Sequence, residues 1–213
     1  MKNIIKIIAI AALFSACNSA KKGPSHNDVS GNEGSDQSYQ YYIDVHHLGA
    51  GNVTAAAVAE AHEKDLKTQE QFDVNFIKYW VDVKKGLVYC LSKAKNVQDI
   101  TDTHKAAHGL IPDEVHAVTD GAEAAEKGGK KIFLDVHEFG AGNVTAQAVA
   151  EAHEKDLAKQ DQYQVNFIQY WVDEKAGKVY CLSEAPDSAA VIKTHKEAHG
   201  LLPDQILEVE PGG

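Results

Sequence analysis

Shifted by 91 residues, the chain aligns with itself without a gap. DVHHLGAGNVTAAAVAEAHEKDL (Asp44–Leu66) meets DVHEFGAGNVTAQAVAEAHEKDL (Asp135–Leu157), and 48 of the 78 pairs from Tyr41/Ile132 to Val118/Val209 are identical. A period this long duplicates a whole folding unit, unlike the shorter repeats of solenoids. Each copy is long enough for a small core. Any face that one copy leaves wet can be covered by the other. Whatever one copy folds into, the other must fold into as well.

Within a copy the elements follow from local signals. Tyr41–His46 alternates as a strand, and Gly49-Ala50-Gly51-Asn52 is a loop. Thr54 is a suitable N-cap for the Ala-rich helix Ala55–Lys67. Asn75–Asp82 and Leu87–Ser92 read as strands joined by the turn Lys84-Lys85-Gly86. A second helix starts at Asn96 or Asp99 and stops at Gly109, the position a C′ glycine prefers. Asp113–Val118 is the last strand. The order β-α-β-β-α-β is the ferredoxin-like unit. Ile77, Tyr79 and Val81 are expected opposite Phe76 and Trp80, so the sheet is apolar on both faces and needs cover on both. Helices cover one face and the other copy's sheet covers the second. The expected fold is α+β: two ferredoxin-like units forming an intramolecular dimeric α+β barrel, residues 41–118 and 132–209, joined by a linker over 119–131.

The head of the chain has a different composition. Lys2 and Lys6 precede the apolar run Ile7–Leu13, which is too short to span a bilayer, and small residues follow. Residues 1–16 read as a signal peptide. Phe14-Ser15-Ala16-Cys17 resembles a lipobox, so cleavage before Cys17 and lipid on its thiol are expected, giving an exported protein anchored to a membrane. Residues 17–40 carry almost nothing apolar and read as a flexible tether. Acidic residues outnumber Lys and Arg, 31 to 21, and no basic patch speaks for nucleic acid. Beyond Cys17 only Cys90 and Cys181 remain, one per copy, which makes no disulfide framework.

The chemistry sits in histidine. The chain has 11, most of them at matched positions. His104 and His108 stand four apart before Gly109, as do His195 and His199 before Gly200. On a helix that spacing stacks two imidazoles on one face, where they can share a metal ion. A helical wheel turns Val58, Ala61, His62, Asp65 and Leu66 to one side, so His62 and Asp65 point against the usual sorting of charge. His46 ends the first strand at the same sheet edge. Each copy therefore gathers candidate ligands: His46, His62, Asp65, His104 and His108 in the first, and His137, His153, Asp156, His195 and His199 in the second. Imidazoles with a carboxylate suit late divalent transition metals such as nickel, copper, zinc or cobalt, and raw affinity favours copper. Plainer roles stand beside this one. His108 fits a helix C-terminus, His62 with Asp65 fits a satisfied buried pair, and Asp44 and Asp135 fit bonds to backbone amides. Cys90 reads as a small buried residue, and Trp80 and Trp171 as core. His26 and His116 have no counterpart and are expected to be irrelevant to metal.

D-x-H on the first strand, A-H-x-x-D on the first helix, Y-W-x-D, V-Y-C-L-S-x-A and H-x-x-x-H-G-L together resemble a family of small ferredoxin-like bacterial proteins. That family was formerly a domain of unknown function, and nickel binding is proposed for it. The resemblance covers both copies. It implies nickel as the metal and sequestration or homeostasis as the task. Family members are usually one unit and pair as dimers, whereas this chain carries both halves. Two other readings stay open. Paired ferredoxin-like barrels also host oxygenases, isomerases and haem-processing proteins, where Asp44 and His46 can serve as an acid/base pair; a deep apolar pocket beside them would favour that. A binding module for an organic ligand is the third.

Overall fold

The computed structural model describes residues 38–213. The signal over 1–16, Cys17, His26 and most of the tether lie outside the described residues. The elements are β1 (Gln40–His47), α1 (Ala55–Thr68), β2 (Asn75–Asp82), β3 (Leu87–Ala94), α2 (Val97–Ala107), β4 (Glu114–Asp120), β5 (Lys131–Glu138), α3 (Ala146–Lys159), β6 (Asn166–Asp173), β7 (Lys178–Ala185), α4 (Ser188–Ala198) and β8 (Gln205–Gly212). A short 3-10 turn follows α1 and another follows α3. The caps are those the sequence offers. Thr54 accepts from the Ala57 amide, Asn96 from Asp99, Thr145 from Ala148 and Asp187 from Ala190. Gly109, at φ +81, ends α2 and sends its N–H back to the His104 carbonyl.

Each half forms an antiparallel sheet in the order β4-β1-β3-β2, or β8-β5-β7-β6 in the second. The halves join edge to edge. β2 pairs with β8 and β4 with β6, which closes an eight-stranded barrel and removes every free edge. This is an intramolecular dimeric α+β barrel. Its interior is filled from both halves by Ile43, Val45, Trp80, Leu134, Val136 and Trp171, among others, with the two indoles 5.2 Å apart. The helices cover the outer face.

Three details differ from the sequence reading. Ile77 points into the barrel with Trp80, while Phe76, Tyr79 and Val81 face the helices. The pairing with β3 shifts between Phe76 and Lys78, and this β-bulge resets the alternation. The fourth strand of each half runs further than expected. Thr119 and Asp120 pair with Val172 and Trp171, and Glu210 to Gly212 pair with Val81 to Tyr79, so the seams lie just past the duplicated segments. Leu66, placed by the wheel with the buried face of α1, is exposed.

His116 is also more than a bystander. Its Nδ1 lies 2.9 Å from Asp173 and its Nε2 2.9 Å from Glu114, which pairs with Lys178 at 2.7 Å. This network, buried at His116 and Asp173 and half-buried at Glu114 and Lys178, ties β4 to the second half at one seam. At the other seam Leu207 takes the position of His116. A closed barrel also predicts how the pieces behave. Expressed alone, residues 41–118 or 132–209 expose two unpaired edges and one apolar face, and are expected to dimerise or aggregate in size-exclusion chromatography. A stable monomeric half at high concentration would contradict this.

Candidate metal centre

Strand alternation builds the centre. Along β1, Ile43 and Val45 enter the barrel, so Asp44 and His46 face the helices. Asp44 stands directly opposite Cys90 in the β1–β3 ladder. The end of β1 is braced by Asp113, whose N–H donates to the Val45 carbonyl and whose carboxylate accepts from the His47 amide. Asp65 arrives from the last turn of α1 and His104 from the inner face of α2. His108 is the C-cap of α2 rather than part of it, and the turn at Gly109 folds its ring back under the helix end.

These groups form two clusters that share His104. In the first, Asp44, His46, Cys90 and His104 offer ligand atoms within 4.8 Å of one another, all buried. His46 Nε2 lies 3.1 Å and His104 Nε2 3.4 Å from Asp44 Oδ1. Yet neither Asp44 oxygen nor His104 Nε2 has a hydrogen-bond partner of good geometry. In the second cluster the atoms already satisfy one another. His104 Nδ1 is 3.0 Å from Asp65 Oδ1, and His108 Nε2 is 3.2 Å from Asp65 Oδ2. His108 Nδ1 accepts from the Leu110 amide, which leaves the proton of a neutral ring on Nε2, facing Asp65.

The second half repeats the contacts, but its first cluster groups Asp135, His137 and Cys181 without His195. His137 Nε2 lies 3.1 Å and His195 Nε2 3.5 Å from Asp135 Oδ1, with both Asp135 oxygens and His195 Nε2 again unpartnered. Asp156 holds His195 Nδ1 at 3.0 Å and His199 Nε2 at 3.1 Å.

The electrostatics agree with a site made for a cation. Burial alone would raise the Asp44 carboxyl, but His104 and His46 overcome it and hold the group below its ordinary value. Asp65 is lowered the same way by His104 and His108. His104 is opposed by burial, yet Asp44 and Asp65 push it up to about 9, and Asp135 and Asp156 push His195 to about 10. Without a metal each centre thus holds an imidazolium between two carboxylates. A divalent cation can displace that proton and supply the charge. The Cys90 and Cys181 thiols are driven well above their ordinary range by burial and then by the neighbouring carboxylates, so they stay protonated beside the centre.

The donor set fits a late divalent metal. Both Asp44 oxygens and the Nε2 of His104 are unsatisfied, His46 Nε2 lies 3.1 Å from Asp44 Oδ1, and Asp65 fixes the His104 tautomer from behind, as outer carboxylates do around metal-bound histidines. The corresponding set is Asp135, His137 and His195, with Asp156 behind.

Of the residues singled out in the sequence, His46, Asp65, His104 and His108 converge, as do their counterparts. His62 does not join them. It is buried, both ring nitrogens lack partners, and its ring lies 5.0 Å from Tyr79; burial keeps its pKa low. It is therefore not the satisfied partner of Asp65. His153 sits likewise, 4.8 Å from Tyr170. Asp44 and Asp135 are the residues that sequence reasoning undervalued. The D-x-H spacing held the signal, because i and i+2 share a strand face. The approach of Cys90 depended on strand register.

An apolar hollow adjoins each centre, between the first helix of the half and its sheet. It measures about 130 Å³ in the first half and about 320 Å³ in the second. Cys90 and Cys181 are free. No helix among the described residues is long and apolar enough to cross a membrane.

Fold and site together define a tandem dimeric α+β barrel with a His/Asp centre in each half. The chain belongs to the nickel-responsive SCO4226-like family, whose profile matches it twice, over residues 42–118 and 133–209. The solved structure of SCO4226 from Streptomyces coelicolor A3(2) is 39% identical, with a TM-score of 0.36, and matches 38% of this chain and 99% of its own. Chlorite dismutase from Candidatus Nitrospira defluvii, in complex with imidazole, is 7% identical over 81% of this chain and 90% of its own, with a TM-score of 0.45. A haem-binding protein from Thermus thermophilus is 10% identical over 82% of this chain and 89% of its own, with a TM-score of 0.38. No curated protein matches the chain.

Proposed function

We propose that the protein is an exported, lipid-anchored nickel-binding protein that sequesters or buffers the ion, with one metal held in each half of the barrel. The ligands are Asp44, His46 and His104 in the first half and Asp135, His137 and His195 in the second. Asp65 and Asp156 orient the shared histidines, and His108 and His199 hold those aspartates in place. The observation that carries this reading is the convergence of buried, unpartnered Asp44 oxygens and His104 Nε2 in a cluster whose other side is fully hydrogen-bonded. Buried polar atoms without partners are rare and ask for an occupant. Family membership supports nickel over the copper that raw affinity favours. The test is calorimetric titration of tag-free protein with nickel, copper and zinc. Two nickel ions per chain are expected; absence of any binding would overturn the reading.

The anchoring part rests on the head of the sequence, with its short apolar run ending in Ala16-Cys17. Cys17→Ser is expected to release the protein from the membrane fraction or to block its processing. A variant that is cleaved normally and stays with the membrane would refute the anchor.

A further inference from the structure

The two hollows differ far more than their walls do. Position for position their lining residues are identical except one: Leu48 in the first half is Phe139 in the second. Yet the second cavity has about 320 Å³ against about 130 Å³. Phe139 lies parallel to His137, with ring centroids 5.9 Å apart and planes within 3°. Leu48 and Phe139 each pack against the matching apolar cluster of their half, Leu48 against that of Val53 and Val88 and Phe139 against that of Val144 and Val179. A volume near 320 Å³ lies in the range of small-molecule pockets, which begins at about 300 Å³, and the smaller one lies below it.

We propose that the second cavity binds a flat, mainly apolar small molecule carrying a single nitrogen or oxygen donor at one end, and that this donor reaches the metal centre. The inference rests on the metal reading above and gives that site a second ligand. Three features define the occupant. The flatness comes from the aromatic walls, since the stacked Phe139 and His137 rings and the His153 and Tyr170 rings all line the cavity. The apolar body comes from the aliphatic remainder, such as Val149, Ala152 and Val179. The single donor end follows because the lining includes His137 and His195, the two rings whose Nε2 atoms approach Asp135. The first half keeps the same polar end but lacks the room. The duplicated halves have thus diverged: both hold metal, and one also holds the organic ligand. Residue 139, matched by Leu48, is the one lining position at which the halves differ.

The probe is 4-phenylimidazole, with imidazole as its apolar-free control, titrated calorimetrically into the full chain with and without nickel. Nickel stoichiometry is measured separately on every variant. One 4-phenylimidazole is expected per nickel-loaded chain, bound at least about tenfold more tightly than imidazole because the ring is buried. Ala152→Phe should abolish this binding and Ala152→Leu should weaken it, both retaining two nickel ions. Ala61→Phe, at the matched place in the first half, should change nothing. Phe139→Leu should weaken probe binding, and Leu48→Phe should raise the stoichiometry toward two. Two nickel ions without preference for the phenyl compound, or equal losses from Ala61→Phe and Ala152→Phe, would overturn the inference and leave the metal reading intact. Probe binding of equal strength without nickel would overturn the metal-linked ligand. Failure of nickel to bind at all would overturn both.

Discussion

Asp44→Asn combined with Asp135→Asn is expected to abolish nickel binding while the barrel stays folded. Each substitution keeps shape and removes one carboxylate that the structure leaves unsatisfied at 0% exposure. The remaining donors, His46 and His104, lose the charge that neutralises the ion. The expected loss in affinity exceeds about a hundredfold, because a direct donor is removed rather than an outer one. His108→Ala combined with His199→Ala is the instructive contrast. Those rings touch Asp65 and Asp156, so their removal loosens the residues behind the ligands, with an expected loss of about 10- to 100-fold. Titration calorimetry with nickel ranks the two variants, and circular dichroism confirms the fold. The reverse ranking would move the metal to the Asp65–His104–His108 cluster that the H-x-x-x-H-G spacing first suggests. His116→Ala belongs in the same series. It is expected to leave nickel unchanged but to lower thermal stability, because Asp173 loses its buried partner at the seam.

Stability and metal affinity are expected to move in opposite directions with pH. His104 and His195 are raised from 6.5 to about 9 and about 10. A group raised by folding favours the fold fully below its unfolded value and ceases to do so as pH climbs through its folded value. The metal-free chain therefore loses stability between pH 6.5 and the region of 9 to 10. Asp44, Asp65, Asp135 and Asp156 are lowered, so their contribution is present above the ordinary value of 3.8 and is lost as pH falls below it. If His104 ligates nickel as proposed, the ion must displace the proton from its Nε2, so the affinity is expected to rise by up to about tenfold per pH unit until the imidazolium titrates. Free histidine alone, at about 6.5, places that loss between about pH 6 and 5. The two flanking carboxylates move it upward. Thermal melts of metal-free and nickel-loaded protein across this range should show the nickel-induced shift growing with pH. A shift that is flat between neutral pH and about 9 would refute the proton competition.

Much of this was legible in the residues. The duplication, the Thr54 and Asn96 caps and the glycines after each second helix define two ferredoxin-like units, and apolar residues on both strand faces call for mutual cover. The matched histidines located the centre to within one sheet edge. What was hidden depends on contacts distant in sequence. The bulge that turns Ile77 inward shows only in the pairing of β2 with β3. The pairing of Asp44 with Cys90 requires the β1–β3 register. Helical spacing singled out His104 and His108 as a pair; in the structure His108 lies just past the helix end, with its Nε2 3.2 Å from His104 Nδ1 and 3.2 Å from Asp65 Oδ2, and the three form one of the two clusters.

The most direct test is a crystal of the nickel-loaded chain measured at the nickel absorption edge. Two anomalous peaks per chain are expected, one touching an Asp44 oxygen, His46 Nε2 and His104 Nε2, the other touching Asp135, His137 and His195, with Asp65 and Asp156 outside them. Peaks bound instead by Asp65 with His108 and Asp156 with His199, or no peak against either centre, would contradict the assignment.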